Sequence, residues 1–174
     1  MHNLFVNLIV VDFEASGLIS GSWPIEVGLA RLSGDTLWSW SSLIYPEETW
    51  DPAAWSLDSE AIHGITRDTL EGAPSAAEVA RIAARHLEGC LVVSDAPRYD
   101  EYWGRCLFET AGLNFPRLTD FDTVANNIAA GSLPILRQIY AALDCTDIPH
   151  RAGPDALLLL SALTAAQGKH GYKE

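Results

Sequence analysis

Residues 4–13 are an almost unbroken apolar run whose far end reads Asp12-Phe13-Glu14. A strand that is apolar at successive positions, not alternate ones, is buried on both faces. It therefore belongs inside a layered sheet with cover above and below. Side chains two apart on a strand point the same way, so Asp12 and Glu14 converge where the strand ends. Two ionised carboxylates there repel each other and are costly without a cation. Strands also end in ordinary solvated acids, so the pair alone leaves metal binding and plain solvation equally open.

The pattern downstream supplies the layers. Residues 24–32 and 36–44 carry β-forming residues on either side of Ser33-Gly34-Asp35, which predicts an antiparallel hairpin. Residues 45–72 read as loop-rich, with Pro46, Pro52 and Gly64 breaking any long element. Helical periodicity occupies 76–87, with Ser75 or Pro74 at its start and Gly89 beyond its end. A short apolar strand follows at 90–94, then a helix over 100–111 stopped by Gly112. Helical pieces are expected at 123–128 and at 133–143, the latter opened by Pro134, and a last helix rich in Leu and Ala at 154–167. A hairpin followed by alternating helices and short strands predicts an α/β fold. Its mixed sheet should have about five strands, one of them antiparallel, with helices on both faces. At 174 residues the chain fits a single domain, 1–174.

Composition excludes some classes. A chain 48% hydrophobic and 20% charged is not disordered. Apolar runs such as Leu8 to Val11 are far too short to cross a bilayer, so no membrane is expected as a partner. The first residues, Met-His-Asn-Leu-Phe-Val, lack a basic region and cleavage site. Cys90, Cys106 and Cys145 are odd in number and without CxxC spacing, as for reduced core thiols in a cytoplasmic protein. The net charge of −12 opposes tight, sequence-independent nucleic-acid binding, which wants a basic face. A catalytic carboxylate cluster changes that reading, because bound divalent cations offset its charge. What remains is an expectation of weak binding and of short or single-stranded ends.

Two further acidic places accompany Asp12 and Glu14. Asp100 opens the helix after Val92-Val93-Ser94-Asp95-Ala96-Pro97-Arg98-Tyr99, where an acid can simply answer the helix dipole. Asp95 competes with it for any functional role. In His150-Arg151-Ala152-Gly153-Pro154-Asp155, Pro154 suits a first helical turn, so an imidazole and a carboxylate meet at one helix mouth. An incidental loop histidine beside a capping Asp is the plainer alternative.

The order of the three pieces carries more than any one of them. Asp-x-Glu on a first strand, Tyr-Asp opening a middle helix and His-x4-Asp opening a last one resemble the DEDDh exonucleases, a superfamily with the ribonuclease H-like fold. The resemblance runs from Asp12 to Asp155. Trp23-Pro24-Ile25-Glu26-Val27-Gly28 is similar to the family's Ile-Glu-Ile-Gly strand, and Ala61-Ile62-His63-Gly64-Ile65-Thr66 to its His-Gly-Ile-Thr segment. One departure stands out: Asp95-Ala96-Pro97-Arg98-Tyr99-Asp100 replaces the usual His-Asn-x-x-Phe-Asp.

The resemblance implies a metal-dependent 3′→5′ exonuclease that releases nucleoside 5′-monophosphates from single-stranded DNA or RNA. Two Mg²⁺ or Mn²⁺ ions are implied, with Asp12 shared between them. Glu14 and Asp155 complete one shell, and Asp100 serves the other directly or through water. His150 is the implied general base. Substrate contacts fall on Phe13, Ala15, Glu26 and His63, with Glu26 at the terminal sugar. His63 is expected to shape its loop rather than bind metal. The implied partners are single-stranded 3′ ends, with a homodimer or recruitment by a larger nucleic-acid enzyme left open. An RNA-trimming or oligoribonuclease-like enzyme is the alternative within this class. A non-catalytic nucleic-acid-binding or scaffolding module is the alternative outside it. His86, His2 and His170 are given structural roles, as are most of the six Trp, with Trp38 and Trp40 on one face of their strand.

Overall fold

The central strand β1 is Leu8–Ala15, and its alternation sorts the molecule into two faces. Ile9, Val11 and Phe13 pack into one apolar cluster, while Leu8 and Val10 pack into a second on the opposite side. The computed structural model describes residues 5–144 and 150–165. His2, Cys145 and His170 lie outside them, as does the expected end of the last helix at Gln167.

β2 (Pro24–Ser33) lies antiparallel to β1, and β3 (Thr36–Leu43) antiparallel to β2. β4 (Leu91–Ser94) runs parallel to β1, and β5 (Leu118–Asp120) parallel to β4. The order is β3-β2-β1-β4-β5, a five-stranded mixed sheet in which only β2 runs against the rest. This is the predicted α/β sheet with helices on both faces.

Among the described residues there are seven helices. They are α1 (Leu57–His63), α2 (Arg67–Leu70), α3 (Ala76–Leu87), α4 (Pro97–Glu109), α5 (Phe121–Ala129), α6 (Leu133–Leu143) and α7 (Ala152–Ala165). Val79, Ala80 and Ala83 of α3 and Leu107 and Phe108 of α4 meet the odd-numbered face of β1. Phe121, Val124, Ile139, Leu160 and Leu163, from α5, α6 and α7, meet the other. At about 25 cal/mol per Å² of apolar surface removed from water, these two layers drive the fold. No helix among the described residues is long and apolar enough to cross a membrane.

Several expected boundaries move. Residues 45–72, read as loop-rich without a long element, hold only the short α1 and α2 and a 3₁₀ turn at Pro52–Ala54. The prolines there are punctuation between very short helices, each with its own cap. Ser56 Oγ accepts the Ser59 N–H, and Thr66 Oγ1 accepts that of Thr69. Gly64, at φ +67°, closes α1 in the left-handed region. α4 begins at Pro97 rather than Asp100, because Pro fits a first helical turn. α7 likewise starts at Ala152, two residues before Pro154. β5 has only three residues, too short for a periodic signal.

Trp38 and Trp40 do share a face, and both rings contact His86 in the last turn of α3. Trp50 and Trp55 pack against the buried Trp23. Cys90 and Cys106 are free thiols.

Candidate active site

Because the odd residues of β1 face α3 and α4, Asp12 and Glu14 face the side covered by α7. In the β1–β2 register Asp12 lies beside Gly28 and Glu14 beside Glu26. Two carboxylates directly opposite each other destabilise a strand pair, and the structure answers with Arg151. Its Nε donates to Glu26 Oε2 at 2.8 Å and its Nη2 to Oε1 at 2.7 Å, while the Ala152 N–H donates to Oε2 at 3.1 Å. Glu26 is 2% exposed, so this bidentate pair fixes the chain entering α7 onto the sheet.

Close backbone approach tightens the same joint. A Cβ on Gly28 would lie 1.9 Å from the Ala152 carbonyl oxygen, and one on Gly153 would lie 2.8 Å from Ser41 Oγ. Only glycine lets the mouth of α7 lie this close to β2 and β3. Asp155, in the first turn of α7, accepts the Arg151 N–H at 3.1 Å, while the Asp155 N–H donates to the Arg151 carbonyl at 3.0 Å.

Asp100 arrives from the other side, in the first turn of α4 and 1% exposed. Ser94 Oγ donates to its Oδ2, and the Asp100 carboxylate also accepts a backbone hydrogen bond from Phe13. Ser94 Oγ in turn accepts the Ala96 N–H at 3.0 Å, which holds the turn between β4 and α4.

These placements gather two trios that share one residue. Asp12, Glu14 and Asp155 each bring an oxygen within 4.8 Å of the others, and so do Asp12, Asp95 and Asp100. Asp12, Glu14, Asp95, His150 and Asp155 line a cleft of about 550 Å³ with Phe13, Ala96, Leu143, Leu158 and Leu159. His150 is exposed at its edge.

Crowding sets the charge state. Burial, then the charges of Asp100, Glu14, Asp95 and Asp155, hold the Asp12 carboxyl well above its ordinary range. Burial, then Asp155 and Glu26, push Glu14 up to about 8, with Arg151 opposing. Burial lifts Asp100 to about 7 against the Ser94 hydrogen bond. Burial also raises Asp155, which its hydrogen bond from Arg151 and the nearby His150 moderate. Protons are thus retained on carboxyls at neutral pH unless cations replace them. An all-carboxylate donor set of this kind fits a hard divalent cation such as Mg²⁺ or Mn²⁺ and does not resemble a zinc site.

No protein-family model matches this sequence, and no curated protein does. Solved structures do. The nuclease domain of 3′hExo, described as a DEDDh family member bound to rAMP, superposes with a TM-score of 0.64 at 16% identity, covering 92% of each chain. This chain has the fold of the DEDDh 3′-exonucleases. Cell-death related nuclease 4 (CRN-4) matches with a TM-score of 0.69 at 13% identity, over 95% of this chain and 64% of that one. E. coli Exonuclease I, solved with a dA16 oligonucleotide, matches at 0.64 and 13% identity, over 90% of this chain and 40% of its own.

Within this exonuclease fold, the five residues read from the sequence as catalytic, Asp12, Glu14, Asp100, His150 and Asp155, come together. Phe13, Ala15 and His63 line an adjoining pocket of about 160 Å³ with Glu14, Leu18, Ile62 and Trp103. His63 shapes its loop as expected, its Nδ1 accepting the Ile65 N–H at 3.0 Å. Burial lowers its pKa, which keeps the ring neutral. Glu26, expected at the terminal sugar, lines neither space and is packed under Arg151 instead. Its place opposite Glu14 demands a cation more than it offers a ligand site.

Sequence reasoning gave no role to Arg151 and left Asp95 without a place. The signal for Arg151 was a guanidinium beside His150 and four residues before Asp155. Asp95 carried no local signal of its nearness to Asp12.

Proposed function

We propose that this chain is a metal-dependent 3′→5′ exonuclease acting on single-stranded nucleic-acid ends. One observation carries the reading: two carboxylate trios share Asp12 at the end of the central strand, beside an exposed histidine. Asp12, Glu14 and Asp155 would hold one divalent ion, and Asp12 with Asp100 a second. Bound there, the ions would supply Lewis acidity toward the phosphodiester and charge neutralisation for the attacking and leaving oxygens.

The protein's own groups do the rest. His150, exposed at the cleft edge, accepts a proton from the attacking water as its oxygen bonds to phosphorus. The bond from phosphorus to the 3′ oxygen of the preceding nucleotide breaks, and that oxygen takes up a proton. A nucleoside 5′-monophosphate leaves, and the strand keeps a new 3′ hydroxyl. Phe13 and Ala15, on the strand that carries Asp12 and Glu14, place the terminal nucleotide in the pocket closed by His63 and Trp103. A net charge of −12 favours short or single-stranded ends, where few phosphates must approach an acidic surface.

The test is mononucleotide release from labelled DNA and RNA oligomers, single- and double-stranded, with Mn²⁺ and with chelator. Release that needs the ion and disappears in Asp155→Asn supports the reading. Ion-dependent binding without release would favour a non-catalytic nucleic-acid-binding module.

A further inference from the structure

We propose that Asp95 is a fifth carboxylate ligand, closing the second cation site from the solvent side together with Asp12 and Asp100. This rests on the metal-dependent reading above and extends it to a residue to which that reading assigns no ligand role.

The register of the sheet places it there. β4 lies parallel to β1 with Val10 and Val93 as the last paired residues, and Asp12 and Asp95 each lie two residues further along their chains. Asp95 is the first residue past β4, where the chain turns into α4. Asp100, held by Ser94 within that turn, reaches back over the two strand ends. One oxygen from each of the three falls within 4.8 Å of the others.

The charge around this trio points to a cation. Among the described residues no Lys, Arg or His pairs with Asp12, Asp95 or Asp100; the ion pairs are Arg105–Glu101 and Arg151–Glu26. Asp100 is 1% exposed, and buried carboxylates are ordinarily paired or coordinate a metal. Asp95 keeps an exposed edge, so an ion can enter from the cleft and meet a carboxylate already on its path. Three protein carboxylates in place of two raise the charge and ligand count at the second site, and affinity for a hard cation rises with both.

The experiment is Mn²⁺ titration of the full chain without substrate, by calorimetry and by the paramagnetic resonance of free Mn²⁺. Wild type is expected to bind two ions. Asp95→Asn, isosteric and at an exposed position, should keep the first site and weaken the second by about 10–100-fold. The nearby Asp122→Asn removes the same charge from outside the trio and should leave both sites unchanged. If Asp95→Asn binds both ions as wild type does, or if the two variants weaken the second site equally, Asp95 is not a ligand. A wild type that binds no Mn²⁺ fails at the earlier step and takes the metal-dependent reading down with it.

Discussion

Gly28→Ala adds one methyl group where the sheet and α7 meet, and its cost can be worked from the geometry. The new Cβ would lie 1.9 Å from the Ala152 carbonyl oxygen and 2.1 Å from its carbon, where ordinary contact begins near 3.4 Å. Backbone, not a flexible side-chain tip, is in the way, so the mouth of α7 must retreat by more than 1 Å. Overpacking of this kind costs about 3 kcal/mol, and for a chain of this size that is a fall in Tm of about 6–12 °C. The retreat also carries His150 and Asp155 away from Asp12 and Glu14. A displacement of 1 Å at such a constellation costs about 10²-fold in turnover. Differential scanning calorimetry in chelator gives the first number and single-turnover cleavage below the new Tm gives the second. Gly34→Ala is the comparison: its φ is +63° but its Cβ meets open space, so it should cost about 1–2 kcal/mol and leave turnover alone. A Gly28→Ala protein with wild-type Tm and turnover would refute the claim that this close approach positions the site.

Three other outcomes follow from the same geometry. Asp12→Ala should abolish cleavage yet match or exceed wild-type stability in chelator, since it removes one of several buried, crowded carboxyls; Mg²⁺ raising the Tm of both proteins equally would show that Asp12 is not a ligand. His150→Ala should lower turnover by about 10²–10⁴-fold with little change in Mn²⁺ affinity; lost Mn²⁺ binding would make His150 a ligand instead of a base. The metal-free protein should lose stability as pH rises from about 4.5 toward 8. The sign follows because the folded Glu14 carboxyl titrates at about 8, far above its ordinary value, so the folded state holds the extra proton across that window. Asp12 and Asp100, also raised, act in the same direction. Chemical unfolding in chelator across this range should show the decline, and a rise would contradict the crowding described for the site.

The β1 run and its Asp12-Phe13-Glu14 end were legible because burial on both faces and a period of two are written directly in residue order. His150 and Asp155 could be placed at a helix mouth because Pro154 marks a first turn. The Glu26–Arg151 joint could not be read, since it spans 125 positions and depends on Glu14 lying opposite Glu26 across the β1–β2 pair. The same holds for Asp95, whose nearness to Asp12 follows from the β1–β4 register and from nothing local. α1 and α2 escaped because helices of seven and four residues carry caps but repeat the 3.6-residue period less than twice. The order of the motifs along the chain thus identified the acids, and the fold decided which of them meet.

The central claim is most directly tested by the direction of cleavage. A single-stranded oligomer labelled at its 5′ end should shorten as a one-nucleotide ladder in Mn²⁺, while the same oligomer labelled in its 3′-terminal nucleotide should release that label at once as a nucleoside 5′-monophosphate. Both signals should vanish in chelator. Early release of the 5′ label, internal fragments, or cleavage that persists without a divalent ion would contradict the account.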